Sequence, residues 1–278
     1  MNESKPETMF GMEVEGAYQR YLDQEHKKQP ITTPIEIPSL IENPRDYIIL
    51  QSRDHNNYKA PDFLVSIHKL GLTPEIQKLN LSLSNTAKES DGTPYIGNIN
   101  HANALSLAEK AGGFVLSTLE ATDLLHRLMH GIDKNEKVYY ANGTEVPVKV
   151  LEYMFNEMTE IRNPWRSEWF HASFGNKTIT YPKFDSSGNR VIVTEPLDKD
   201  TLMKDKIPGI SLADYLKNPT SQGLPRKNAG DGSLYYWHPV DERVAGLFAG
   251  CAWVGLVCSW DPDGVTSLGV RRSKKISP

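Results

Sequence analysis

Arg243 to Arg271 reads RVAGLFAGCAWVGLVCSWDPDGVTSLGVR, and between Val244 and Val270 only Asp261 and Asp263 carry charge. At the chain's 24% of charged residues, 27 positions would hold roughly six or seven. The apolar residues do not recur every 3.6 positions, and the run is too short and broken to span a membrane. Its first half allows an alternating reading. Ala245, Leu247, Ala249, Leu256 and Cys258 take core positions, and Gly246, Phe248, Gly250, Trp253, Val257 and Ser259 project elsewhere. A core strand with a loop behind it accounts for the composition. Large aromatics scattered among glycines, however, pack poorly against one fixed neighbour and suit a surface that contacts something else. Both readings stand on the residues alone.

The 278 residues suffice for a large core, in one domain or in one domain with an appendage. A hydrophobic content of 38% describes an ordinary globular chain. The net charge of −4 supplies no basic field, so nucleic acid is not an expected partner. Residues 1–30 lack the basic-then-apolar order of a secretory signal. Cys251 and Cys258 are too few for a disulfide framework.

Outward from the tail, the first 44 residues read as an extension, partly helical or flexible, with a weak helical face at Val14, Tyr18, Tyr21 and Leu22. Pro30, Pro34, Pro38 and Pro44 punctuate an extended lead-in. Tyr47–Gln51 and Phe63–His68 predict strands, and Asn80–Asn100 a loop. A helix is expected over His101–Lys110, with Asn100 as N-cap and Gly112 past its end. A second begins at Ser117 with Glu120 completing a capping box, and Gly131 ends it. His126 and His130 on that helix have a zinc-compatible spacing, but no third ligand accompanies them, and two surface histidines are the expectation.

Tyr139–Val148 predicts a hairpin turning at Asn142-Gly143, and Leu151–Ile161 a helix. Trp165 and Trp169 read as core anchors. Lys177–Tyr181 and Arg190–Thr194 predict a hairpin through Asp185–Asn189. Ser211 with Asp214 starts a short capped helix, Ser221–Gly232 is a polar, Gly-rich loop, and Tyr235, Tyr236 and Trp237 open the terminal strand region. No phosphate-cradling glycine motif, cysteine-rich metal site, nucleophile elbow or telling carboxylate pair is present in the sequence. No cofactor or metal is expected.

The order of three motifs adds to this. ALSLAEKAGGFVLSTLEATDLL (Ala104–Leu125), Trp165-Arg166-Ser167-Glu168-Trp169 and Ser267-Leu268-Gly269-Val270-Arg271 together resemble C-type lectin folds of the formylglycine-generating-enzyme type. The resemblance covers roughly residues 45 to 271. It implies an α+β class with small antiparallel sheets and two main helices, over residues 45–278. Within that fold the tail, about residues 240–266, looks like the variable region of the target proteins of diversity-generating retroelements. The implied frame is Arg243, Val244, Ala245, Ala249, Leu256, Cys258, Ser267, Leu268, Gly269 and Val270. The implied diversified, ligand-binding positions are Val240, Glu242, Gly246, Phe248, Gly250, Cys251, Trp253, Gly255, Val257, Ser259, Trp260, Asp263, Gly264 and Val265.

The resemblance therefore implies a non-catalytic protein that binds a protein or glycan surface. Phe248, Trp253, Val257, Trp260 and Val265 are expected to form one contiguous exposed patch, replaceable with little effect on melting. Two other readings follow from the same residues. One is an enzyme of the formylglycine-generating type, which needs a closely placed cysteine pair. The other is a structural subunit using the apolar tail as an oligomer interface.

Overall fold

Helix starts and turns form where local side chains satisfy the backbone. The computed structural model describes residues 8–9, 12–13, 43–55, 58–78, 83–133, 135–263 and 267–276. The chain divides into two units, Met1–Pro38 and Ser39–Pro278. In the first, Thr8–Met9 and Met12–Glu13 pair antiparallel. The helical face expected at Val14, Tyr18, Tyr21 and Leu22 lies outside the described residues.

The second unit begins with strands β1 (Tyr47–Leu50) and β2 (Phe63–Lys69). Helix α1 (His101–Lys110) starts at Asn100, whose Oδ1 accepts the Asn103 amide at 2.9 Å. Helix α2 (Thr118–Ile132) carries the full capping box, with Ser117 N donating to Glu120 Oε2 at 2.6 Å and Glu120 N to Ser117 Oγ at 3.3 Å. It runs through Gly131 to Ile132. Helix α3 (Val148–Thr159) starts three residues before the expected Leu151, with Pro147 at its N-cap.

Strands β3 (Arg166–Gly175), β4 (Thr178–Phe184) and β5 (Arg190–Pro196) follow. The turn between β4 and β5 is held by Asp185 Oδ1, which accepts the amides of Ser187 and Asn189. Then come β6 (Lys206–Ile210), α4 (Leu212–Lys217), β7 (Leu234–Trp237), β8 (Arg243–Ala249), β9 (Val254–Trp260), β10 (Leu268–Gly269) and β11 (Arg271–Lys275).

The class is α+β, but the sheet is not small. Eight strands join in the order β5-β4-β3-β8-β9-β7-β6, with β10 pairing β3. Most neighbours are antiparallel; β7 with β9 and β10 with β3 are parallel. The reason is the tail itself, because β8 pairs β3 on one side and β9 on the other, fusing what would be separate hairpins. A three-stranded antiparallel sheet, β11-β2-β1, completes the framework. The polar loop at Ser221–Gly232 is buried in its first half, at Gln222 and Leu224, where Thr118 Oγ1 of α2 donates to Gln222 O at 2.6 Å, and exposed at Lys227, Asn228 and Asp231.

Alternation sorts the central strands into two faces. Phe170, Ala172 and Phe174 of β3, Ala245, Leu247 and Ala249 of β8, and Val254, Leu256 and Cys258 of β9 share the main core with Leu124, Leu128, Leu151 and Met154. The opposite face puts Trp169 and Val244 into a second core with Ile96, Ile99, Leu107, Leu268 and Val270. The loop expected at Asn80–Asn100 thus furnishes core residues.

Between the two sheets lies a buried charge network. Arg271 Nη2 meets Glu168 Oε1 at 2.8 Å, and Lys69 Nζ lies 3.3 Å from Glu168, 3.4 Å from Glu89 and 3.7 Å from Glu157. Arg166 Nε reaches Glu157 Oε2 at 3.0 Å. Burial alone would raise the Glu89 carboxyl, but its bond with His68 and the charges of Lys69 and Arg271 hold it well below the usual carboxylate range. Glu168 is likewise lowered: Arg271 and Lys69 overcome the effect of burial.

Removing one partner of such a network leaves a charge without compensation, so Arg271→Ala should cost about 3–5 kcal/mol. Leu256→Ala should cost about 2–5 kcal/mol as a core truncation. Denaturant titration measures both, and a loss under about 1 kcal/mol at either position would contradict this account of the framework.

Candidate functional site

All five tryptophans of the chain gather with Phe248 and Tyr235 in one aromatic chain on the second face of the sheet. Ring centroids lie 5.4 Å apart for Trp169–Trp260, 6.1 Å for Trp260–Phe248, 5.0 Å for Phe248–Trp165 and 4.2 Å for Phe248–Trp253. Trp253 then meets Trp237 at 4.5 Å and stacks nearly parallel on Tyr235 at 5.6 Å. Trp169 is buried, with Nε1 donating to Ile99 O at 2.7 Å. The other six rings are half-buried. Trp165, expected in the core beside Trp169, belongs to this surface: it precedes β3 and leans on Phe248.

The sheet's register explains the convergence. Leu234 and Tyr236 of β7 face the main core, so Tyr235 and Trp237 stand on the other side. In β8 the same parity places Phe248 opposite to Leu247 and Ala249. Strict alternation would send Trp260 to the core face with Leu256 and Cys258. The pairing shifts instead: Val244 opposes Trp260 while Gly246 opposes Val257, a bulge that turns Trp260 over Gly246.

Of the remaining expected positions, Val240, Glu242, Cys251 and Asp263 are exposed, and Val257 and Ser259 are half-buried. Gly246, Gly250 and Gly255 are buried. Gly264 and Val265 lie outside the described residues. The expected patch is therefore contiguous through Phe248, Trp253 and Trp260, but its rings lie against one another and are only partly exposed. It also takes in Trp165, Tyr235 and Trp237 from outside the expected range.

On either side of the residues beyond β9, Pro262 and Ser267 are tied to the start of α1 and to the segment before it. His101 N donates to Pro262 O at 2.9 Å. Ser267 N donates to Asn98 Oδ1 at 3.0 Å, and Ser267 O accepts the Tyr95 hydroxyl at 3.0 Å. The His101 ring, edge-on to Trp169 at 5.4 Å, donates from Nε2 to Phe170 O at 2.8 Å. Burial, only partly opposed by that bond, lowers its pKa to about 4.

No protein-family model, curated protein or solved structure matches the chain. Among the described residues, no helix is long and apolar enough to cross a membrane.

Two other groupings offer less. The enzyme reading requires Cys251 and Cys258 side by side. Cys251 is exposed in the turn after β8, whereas Cys258 is buried in β9, where burial pushes its thiol far up. From Val254 to Cys258 alone the strand advances about 13 Å. His126 and His130 stack at 4.0 Å, half-buried on α2. His68, Glu89 and Asp91 bring ligand atoms within 4.8 Å of one another. Both Glu89 oxygens are already engaged, Oε1 by the Lys69 amide and Oε2 by His68 at 2.6 Å and Tyr153 at 2.9 Å.

The lowered His101 pKa sets a pH response. An unfolded histidine protonates near pH 6.5 while the buried ring stays neutral to about pH 4, so stability is complete above about 6.5 and falls as pH drops through that window. His101 alone accounts for about 3 kcal/mol of the loss, and His171, also lowered by burial, adds in the same direction. His101→Gln, which keeps a donor for Phe170 O, should flatten the decline of melting temperature between pH 6.5 and 4. An unchanged slope would contradict the assignment.

Proposed function

We propose that this chain is a non-catalytic ligand-binding protein with a C-type lectin fold of the formylglycine-generating-enzyme type, whose C-terminal tail is a retroelement-diversified surface. The observation that carries the reading is the half-buried aromatic chain from Trp260 to Tyr235, built on the face of the sheet opposite the main core. Soluble domains rarely leave so many large rings partly open without something to contact, and tryptophan and tyrosine are the residues that dominate binding hot spots. The frame supports a replaceable surface. Ala245, Ala249, Leu256, Cys258, Leu268 and Val270 are all buried, whereas Phe248 and Trp253 contribute only half-buried rings. The partner is a protein or glycan surface whose apolar face covers the rings, with Glu242 and Asp263 supplying rim charge.

The rings differ in how replaceable they are. The ring contacts of Phe248 and Trp253 are with other half-buried rings of the surface, whereas Trp260 covers Trp169 and the second core. The double variant Phe248→Asn, Trp253→Ser should fold with a melting temperature near that of the parent and lose its ligand. Adding Trp260→Arg should remove a further ~3 kcal/mol. Thermal unfolding followed by circular dichroism separates the cases, and collapse of the double variant would refute the display reading. Retroelement diversification has its own check: a reverse-transcriptase gene beside a near-copy of the tail's coding sequence. A locus lacking both would overturn it.

A further inference from the structure

Three glycines in the expected display set, Gly246, Gly250 and Gly255, lie beneath the aromatic rings, and they are not equivalent. None adopts a positive φ, so an L side chain meets no backbone penalty, only its neighbours. At Gly246 a Cβ would sit 2.8 Å from Glu168 O and 3.0 Å from Trp260 Cε3. At Gly255 it would sit 2.7 Å from Trp237 Cζ3 and 2.8 Å from Tyr235 O. Both carbonyls belong to strands paired with the glycine's own, so relief there requires the sheet to shift.

Gly250 differs. The three atoms nearest its Cβ position, at 2.1, 2.6 and 3.2 Å, are all in the Phe248 ring. The backbone at 250 cannot retreat, because its amide donates to Trp253 O and its carbonyl accepts the Arg162 amide, each at 2.9 Å. The Phe248 ring is half-buried on the open face and can swing toward solvent. It is also the hub of the surface, touching Trp165, Trp253 and Trp260.

We propose that position 250 is a specificity-determining position, whose residue sets the seat of Phe248 and so decides whether the Trp165 and Trp253 rings are bridged or parted by a recess. Gly246 and Gly255 belong to the invariant frame and not to the display set. The functional meaning rests on the ligand-binding reading, but the geometry does not. With glycine at 250 the phenyl ring lies down and the surface is closed. With a larger residue the ring lifts, and Trp165 and Trp253 open to solvent.

The test uses the full chain without any ligand. Gly250→Ala and Gly250→Ser should keep the melting temperature within about 2 °C and raise acrylamide quenching of tryptophan fluorescence. Gly246→Ala and Gly255→Ala should each lower the melting temperature by about 5 °C or more. In a Phe248→Ala background, Gly250→Ala should leave quenching unchanged. The proposal is overturned by a melting loss at 250 equal to that at 255, by unchanged quenching, or by a quenching change that persists without Phe248. Because no readout involves a partner, failed ligand selection alongside these results would count against the binding reading alone.

Discussion

Glu168 sits near the start of β3 with its carboxylate buried, held ionised by Arg271 from the terminal strand and Lys69 from β2. Glu89 and Glu157 repeat the arrangement around the same lysine, and Arg166 closes it against α3. Five segments that share no local contact in the chain are thereby locked in one geometry. Such a network contributes little net stability over an apolar equivalent, but each member strongly penalises any arrangement that separates it from its partners. The small terminal sheet and the large sheet are joined on these terms, and the join does not involve the aromatic surface.

The tail is held in another way. Strands β8 and β9 are secured by backbone pairing with β3 and β7 and by one apolar face of alanines, leucines and Cys258. The other face begins under the second core at Trp169 and Val244 and then runs out from beneath it. Beyond Trp260 the rings cover one another, tilted or offset as aromatic quadrupoles prefer. Glycines beneath them let the rings lie close to the sheet. Beyond β9, Pro262 and Ser267 are anchored by His101, Asn98 and Tyr95.

Local chemistry made much of the fold legible. Asn100 and the Ser117–Glu120 box set two helix starts to the residue, and Asp185–Asn189 set a hairpin. The parity of Ala245, Leu247, Ala249, Leu256 and Cys258 identified the core face of the tail, because these signals act between residues a few positions apart. Tertiary structure decided the rest. Lys69, Glu168 and Arg271 look like ordinary solvated charges until contacts 103 residues apart bury them together. Trp165 and Trp169 are alike in sequence, yet Trp169 is covered by the second core while Trp165, ahead of β3, leans on Phe248 at the surface, and only the elements packed over each distinguish them. Trp260 changes face through a bulge that alternation cannot foresee, and the glycines at 246, 250 and 255 take their roles from what lies above them. The order of residues determines local conformation through near neighbours; which face is closed, and by what, depends on strands that meet only after the chain has folded.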